Sequence, residues 1–393
     1  MREILQAFVQ FFVSLRLTVV LLALSIVLVF AATLNQQELG IWGIQQKWFR
    51  SFVVISEVKG FPVPIFPGGY FIGGLLFINL IAAHVYRFKL GWKKAGIFLT
   101  HIGIMLLLLG ELFTGLLQED SMMRLDEGET KRFSESTLYN ELVLIDATDP
   151  QWDEVVAIPE DQLRRRDAVQ HAKLPFRVVI KDYFPNSTMQ MRSQVPNAPS
   201  SPATQGLGPQ IVAIPLAITY KHNERNLPAA YVELVGTQGS LGTWLVGSQL
   251  SEPQTFEHEG RTWRIAMRPE RFYTPYTVTL INFSHDRYPG TEIPKNFSSK
   301  VRLRTDDGQT DREVLIYMNN PLRFEGLTFY QAGFENNDQT SILQVVKNPS
   351  WLLPYIACLL LTLGLLWQFG ISLAGFASRR SRKSSPTSVP ANV

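Results

Sequence analysis

Four stretches of the chain, residues 17–34, 70–86, 95–117 and 351–376, are apolar almost throughout. A helix needs about 20 largely apolar residues to cross a bilayer, so each is predicted to be a transmembrane helix. Between the third and fourth the period changes from helical to alternating. Short runs such as Phe176-Arg177-Val178-Val179-Ile180-Lys181, Val278-Thr279-Leu280-Ile281-Asn282-Phe283 and Leu327-Thr328-Phe329-Tyr330-Gln331-Ala332 place apolar and polar side chains on opposite faces of strands. About ten such runs, divided by Gly, Pro and Asn, predict an antiparallel sandwich or a pair of them. The expected fold is therefore a membrane protein of four α-helices, with a large β-sandwich-like domain, residues 118–349, inserted between helices 3 and 4.

The connecting segments refine this division. Residues 1–35 form a Phe-rich lead and the first span, with Asn35-Gln36-Gln37-Glu38 marking the exit from the membrane. The first run is longer than the apolar core of a usual signal peptide, which predicts an uncleaved helix. In the loop 36–68, Ile41, Ile44, Trp48, Phe52 and Ile55 recur at helical spacing, which predicts an amphipathic helix on the membrane surface. The prolines of Phe61-Pro62-Val63-Pro64-Ile65-Phe66-Pro67 hold the return to the bilayer extended. Residues 69–117 then hold the second and third spans and the basic turn Phe88-Lys89-Leu90-Gly91-Trp92-Lys93-Lys94. In the β-domain a helical run is expected over 159–172 and a mobile loop over 185–209, with a weak boundary near Gly239. Residues 350–376 carry the fourth span and 377–393 a basic tail.

Charge gives the expected sidedness. Arg2, Arg16, Arg87, Lys89, Lys93, Lys94, Arg379, Arg380, Arg382 and Lys383 flank the spans on one side, with Glu3 as their only acidic company, in a chain of net charge +3. The positive-inside rule makes that side cytoplasmic, with both termini, and places loop 36–68 and the β-domain outside an inner membrane. The remainder is acidic, so nothing points to nucleic acid. The single cysteine, Cys358, lies within the fourth span. No disulfide can brace the domain, and the chain has neither a Cys-x-x-Cys dithiol nor a Cys-x-x-Cys-His haem attachment motif.

Candidate chemistry lies in the bilayer. His84 and His101 both sit near the charged ends of their spans, facing the same leaflet. Ionisable residues in a membrane are costly and mark function by default, and neutral imidazole is an axial ligand of haem iron. At about 1.5 Å per residue the two differ in depth by roughly one turn, which helix tilt absorbs. Both could clamp one haem b. The plain alternative is that His84, beside Tyr86 and Arg87, snorkels to the interface; His101 lies deeper. Glu111, about 15 Å further along the third span, either snorkels outward or lines a polar path. His171, His222, His258 and His285 lack metal-ligand spacing and are expected to be surface or satisfied core residues. No phosphate loop, nucleophile elbow or His-Glu-x-x-His occurs, so no catalytic residue is assigned.

The order of three spans, β-domain and fourth span resembles the ResB (CcsB) family of system II cytochrome c biogenesis proteins. So do Ser14-Leu15-Arg16-Leu17, Phe98-Leu99-Thr100-His101-Ile102-Gly103, Met123-Arg124-Leu125-Asp126-Glu127-Gly128-Glu129, Asp286-Arg287-Tyr288-Pro289-Gly290-Thr291 and Val345-Val346-Lys347-Asn348-Pro349. The most specific block is Asn320-Pro321-Leu322-Arg323-Phe324-Glu325-Gly326-Leu327-Thr328-Phe329-Tyr330-Gln331-Ala332-Gly333-Phe334. The resemblance implies an accessory subunit of a cytochrome c haem lyase complex. With a ResC (CcsA) membrane subunit it would carry haem b outward, bound transiently and without a covalent link, for attachment to apocytochrome c; thiol-reducing proteins are further possible partners. It also implies a transmembrane histidine ligand to haem iron, at the position of His101, paired with a histidine of the partner; His84 ranks behind it. One departure is Ala32-Thr33-Leu34-Asn35-Gln36, where a Gly-Thr-Leu-Pro-Gln type sequence is usual; another is the compact domain. Two other classes stay open: a membrane b-type cytochrome with a bis-histidine haem on His84 and His101, and a haem-free scaffold or sensor.

Overall fold

The computed structural model describes residues 2–87, 91–196, 198, 200–219, 225–291, 294–336 and 338–384. Phe88, Lys89 and Leu90 of the basic turn, Asn197 and Pro199 of the expected loop, His222, and the tail beyond Ser384 lie outside the described residues. The chain divides into two units, Met1–Gln118 with Asn348–Val393, and Glu119–Lys347.

The first unit holds α1 (Arg2–Phe12), α2 (Leu15–Ile44), α3 (Gly69–Tyr86), α4 (Ala95–Leu117) and, after the β-domain, α6 (Leu353–Ser384). The last four are long and apolar enough to cross a membrane. Ser14 caps α2, accepting from Arg16 N at 3.2 Å, and so sets the bend between α1 and α2. Asn79 of α3 is 3% exposed and ties that bend down. Its Oδ1 accepts from Thr18 Oγ1 at 2.7 Å, and its Nδ2 donates to Phe12 O at 2.6 Å and Ser14 O at 3.3 Å. Phe12 O lies in the last turn of α1, where a helical carbonyl has no partner within its own helix, and Asn79 supplies one.

The first span does not stop at Leu34. Asn35 continues the helix, its Nδ2 donating to Ala31 O at 2.8 Å, and the break comes at Gly40, with φ 68°. Asn35 keeps its backbone N–H, so nothing at this position forces the helix to end. The amphipathic helix expected over 41–55 ends early, in a π-helical turn at Gln45–Phe49. Phe52 precedes, and Ile55 lies within, a hairpin of Val53–Val58 with Phe61–Pro67. Lys59 and Gly60, at φ 53° and 82°, supply its two-residue left-handed turn, and the β-branched run Val53-Val54-Ile55 favours strand over helix. Trp48 is 5% exposed rather than outward-facing, packed with Leu28, Ala32, Val54 and Ile72.

Glycine decides how α4 and α6 meet. Gly96, Gly103 and Gly110 recur every seven residues and share one face. A Cβ on Gly96 would lie 2.6 Å from Gly364 O, and one on Gly103 would lie 2.7 Å from Leu361 Cγ and 3.0 Å from Ala357 O. Such close approach is how helices associate in lipid, where apolar surface alone gives no preference for a neighbour. At one end Trp92 and Trp367 stack edge-on, centroids 4.5 Å apart, and Trp367 Nε1 donates to Trp92 O at 3.1 Å. At the other, Asn348 Nδ2 donates to Thr114 Oγ1 at 3.2 Å, and Thr114 also meets Ser350 Oγ at 3.1 Å.

The second unit is an antiparallel β-domain with two hydrophobic cores along its largest sheet and a smaller third cluster of Ala203, Ala213, Ala229, Tyr231 and Leu245. The sheet order is Asp311–Tyr317, Pro294–Thr305, Arg261–Arg287, Thr130–Asp146, Glu119–Asp126, Thr340–Lys347, Leu327–Glu335 and Leu322–Phe324. Runs around Trp263 and Val278, separate in the sequence pattern, belong to one strand. Trp263, Ile265 and Met267 face a first core closed by the three-stranded sheet Gly239–Gly247, Ala229–Gly236, Arg177–Phe184. Tyr276, Val278 and Leu280 face a second core, with Leu125, Leu303 and Phe329. Odd positions are buried before the break and even positions from Tyr276 to Leu280 after it. Register shifts at Pro269–Arg271 and Tyr273–Val278 account for this, because one extra residue exchanges the two faces of a strand.

Two expectations inside the domain differ. The helix over 159–172 is only the six-residue α5 (Glu160–Arg165), stopped by Arg166 at φ 56°. The loop over 185–209 contains a strand, Ser187–Met191, paired with Ile211–Pro215; its partner lies beyond the polar insertion, so the local pattern does not disclose the pairing.

Candidate functional site

α4 presents opposite faces to its two neighbours. Two residues at 100° each separate His101 from Gly103 by about 200°, so the glycine face that packs on α6 turns His101 away from it. Phe98, one turn earlier, shares the face of His101. On α3, His84 lies five residues, about 140°, from Asn79, which engages α1 and α2. The free side of α3 thus meets the free side of α4 at these side chains.

The histidines, read from the sequence as equal in depth only within a turn, are in direct contact. His101 Nδ1 lies 3.1 Å from His84 Nε2, the ring centroids are 4.8 Å apart and the planes cross at 88°. His84 Nδ1 lies 2.8 Å from Leu80 O, one turn back on α3, and the Phe98 ring is 6.0 Å from His84. Both histidines are half-buried within the unit. Among the described residues no hydrogen bond is made to His101 Nε2, so this nitrogen is the one able to bind a further group. Nor do the described residues contain a cluster of three or more His, Cys, Asp or Glu able to enclose a metal ion. Glu111 is exposed on α4, well away from the pair.

Sequence reasoning missed the direct pairing of the two histidines. The seven-residue glycine repeat was the available signal, because it fixes which face of α4 is free. It also passed over His285, which is not a satisfied residue. Its side chain is 3% exposed and packs on Phe334 with centroids 4.3 Å apart. Asp338 meets its Nδ1 at 2.8 Å while its buried Nε2 has no partner among the described residues. His258 Nε2 is likewise buried and without a hydrogen bond, whereas His171 is exposed.

Of the motifs that carried the resemblance, those within Glu119–Lys347 serve the architecture of the β-domain. The Asp126–Glu129 turn docks on the strand that lines the second core: Glu127 Oε1 accepts from Phe283 N at 2.7 Å, and Gly128 N donates to Leu280 O at 2.8 Å. In the longest block, Glu325 and Gly326, at φ 46° and 77°, form a two-residue hairpin turn. Gln331 joins a buried polar knot, accepting from Ser299 Oγ at 2.6 Å and donating to Ser341 Oγ at 3.2 Å.

Comparison with known proteins agrees with that resemblance. The ResB-like family model matches residues 247–343, which include the longest block and its hairpin. Protein NrfI of Wolinella succinogenes is 26% identical over 297 residues, 75% of this chain and 29% of NrfI. The cytochrome c biogenesis protein CcsB of Prochlorococcus marinus strain MIT 9312 is 40% identical over 55 residues, 14% of this chain and 13% of CcsB. The corresponding protein of strain MIT 9301 is 38% identical over the same length. The matched parts therefore span less than a third of each relative.

Proposed function

Taking the chain as ResB-like, we propose that it serves cytochrome c biogenesis as a membrane subunit that helps carry haem across the bilayer. Haem is its cargo, and His101 Nε2 is the axial ligand this chain offers. The observation that supports this reading is the engagement of His101 Nδ1 by His84, which leaves Nε2 for iron. One imidazole without a companion donor set fits a haem shared with a second protein, here a ResC/CcsA-like membrane subunit holding the opposite axial position. Apocytochrome c is the proposed acceptor. In this reading the N-terminus, the turn around Lys93 and the tail face the cytoplasm, and the β-domain stands outside, where it meets partner or acceptor.

The same geometry argues against a bis-histidine cytochrome on this chain alone. A common iron would need a lone pair from each ring aimed at one point. His84 Nδ1 faces Leu80 O, which can only accept, and Nε2 faces His101 Nδ1 at 3.1 Å, so neither ring nitrogen of His84 is turned toward a site shared with His101 Nε2.

The test is co-expression with the partner and purification of the complex. A haem b absorbance band is expected, lost in His101→Ala and restored by added imidazole. An unchanged band in that variant overturns the ligand assignment. Normal cytochrome c maturation in cells lacking this chain overturns the function itself.

A further inference from the structure

The two imidazoles form a chain of hydrogen bonds with a fixed direction. Leu80 O can only accept, so His84 Nδ1 carries a hydrogen and donates across the 2.8 Å contact. A neutral His84 then has its lone pair on Nε2, the atom 3.1 Å from His101 Nδ1. His101 Nδ1 must therefore be the donor, and the lone pair of neutral His101 falls on Nε2. We infer that His84 is a positioning residue: it holds His101 in the Nδ1-protonated tautomer and in the ring orientation that presents Nε2 to iron. This rests on the proposed role of His101 as haem ligand and gives His84 a task that neither haem ligation nor interfacial snorkelling describes.

The surroundings suit the task. Metal-binding histidines ordinarily donate their second ring nitrogen to a carboxylate, a backbone carbonyl or water. A carboxylate at this position would add a buried charge within a membrane. A neutral imidazole accepts the same hydrogen without charge. Its anchor one turn back, together with the perpendicular packing of the rings at 88°, opposes rotation of either side chain. The proton position on one ring nitrogen is set by the hydrogen bond at the other, so removing the acceptor releases the tautomer.

The experiment uses the full chain labelled with 15N-histidine in lipid nanodiscs, without haem, and reads the protonated ring nitrogen by long-range 15N–1H correlation. His101 signals are assigned by their loss in His101→Ala. The wild-type chain is expected to show Nδ1-protonated His101. His84→Phe keeps a ring but no acceptor, and should turn His101 into a mixed or Nε2-protonated population. His84→Gln, whose Oε1 can accept, should restore the Nδ1 form. In the complex with the partner subunit, haem affinity should fall roughly 10–100-fold in His84→Phe and recover in His84→Gln, the range met when such supporting partners are removed. Nε2-protonated His101 in the wild type overturns the inference without need of any variant, and so does a tautomer unchanged by His84→Phe. Failure of the haem reading is distinct: haem content would then ignore His101→Ala, whatever the tautomer.

Discussion

At the scale of single residues, the positions that matter are those where a polar group is held away from water. In the membrane unit these are Asn79 and the His84–His101 pair. Histidine at 84 and 101 was plain in the sequence, but their contact was not, because it depends on the rotation of α4, which glycines on its far face determine. In the β-domain, Glu270 sits at the register break and its carboxyl is pushed above the usual glutamate range, first by burial and then by repulsion from Glu141, Glu119, Glu160 and Asp161. A raised carboxyl disfavours the folded state wherever it must ionise, and this cost disappears once the pH is below its unfolded value. Glu270→Gln should therefore raise the melting temperature at neutral pH, with the gain shrinking as the pH falls through the acid range; a gain independent of pH would contradict this origin. Arg268 Nε donates to Glu141 Oε1 at 2.8 Å, and the two side chains are 15% and 7% exposed. Arg268→Met leaves a buried carboxylate unpaired and should cost about 3–5 kcal/mol in thermal or denaturant unfolding. Arg302→Met, at an exposed ion pair with Asp311, should leave stability unchanged.

At the scale of elements, spans and strands followed from period alone, while their ends did not. Gly40 breaks α2 and Arg166 stops α5, each by a left-handed backbone that no hydrophobic pattern records. The contact between α4 and α6 is argued from space. Gly103→Leu would drive its Cβ into Leu361 and Ala357, and should cost about 1–3 kcal/mol by overpacking or push the helices apart. Gly370→Leu on α6, where an added Cβ meets nothing within 4 Å, is the matched control and should have little effect. Melting of the two variants in the same detergent separates a packing seam from a general dislike of leucine in glycine's place. Because the seam also turns His101 toward α3, the proposed haem role predicts that Gly103→Leu lowers haem retention in the complex, although it lies on the opposite face from His101.

At the scale of the whole molecule, four apolar helices and a β-domain inserted between the last two were legible from hydropathy and alternation. The two cores along one sheet were not, because the exchange of buried faces in Arg261–Arg287 arises from bulges set by the partner strand. The proposed sidedness is open to direct measurement. With Cys358→Ser as background, an impermeant maleimide should label Asp307→Cys on intact spheroplasts. Lys93→Cys should react only after permeabilisation. The opposite pattern would reverse the orientation argued from the basic flanks.

Taken alone, the sequence determined the classes of element and their order, because hydrophobic period and span length are local properties. It also determined that His84 and His101 would be costly in a membrane and hence worth attention. Only the tertiary structure decided which nitrogen of His101 is engaged and which has no hydrogen bond among the described residues. That depends on the meeting of α3 and α4 through faces left over after Asn79 has bound α1 and α2 and the glycines have bound α6. Contacts between residues far apart in sequence set such faces, and no local period encodes them.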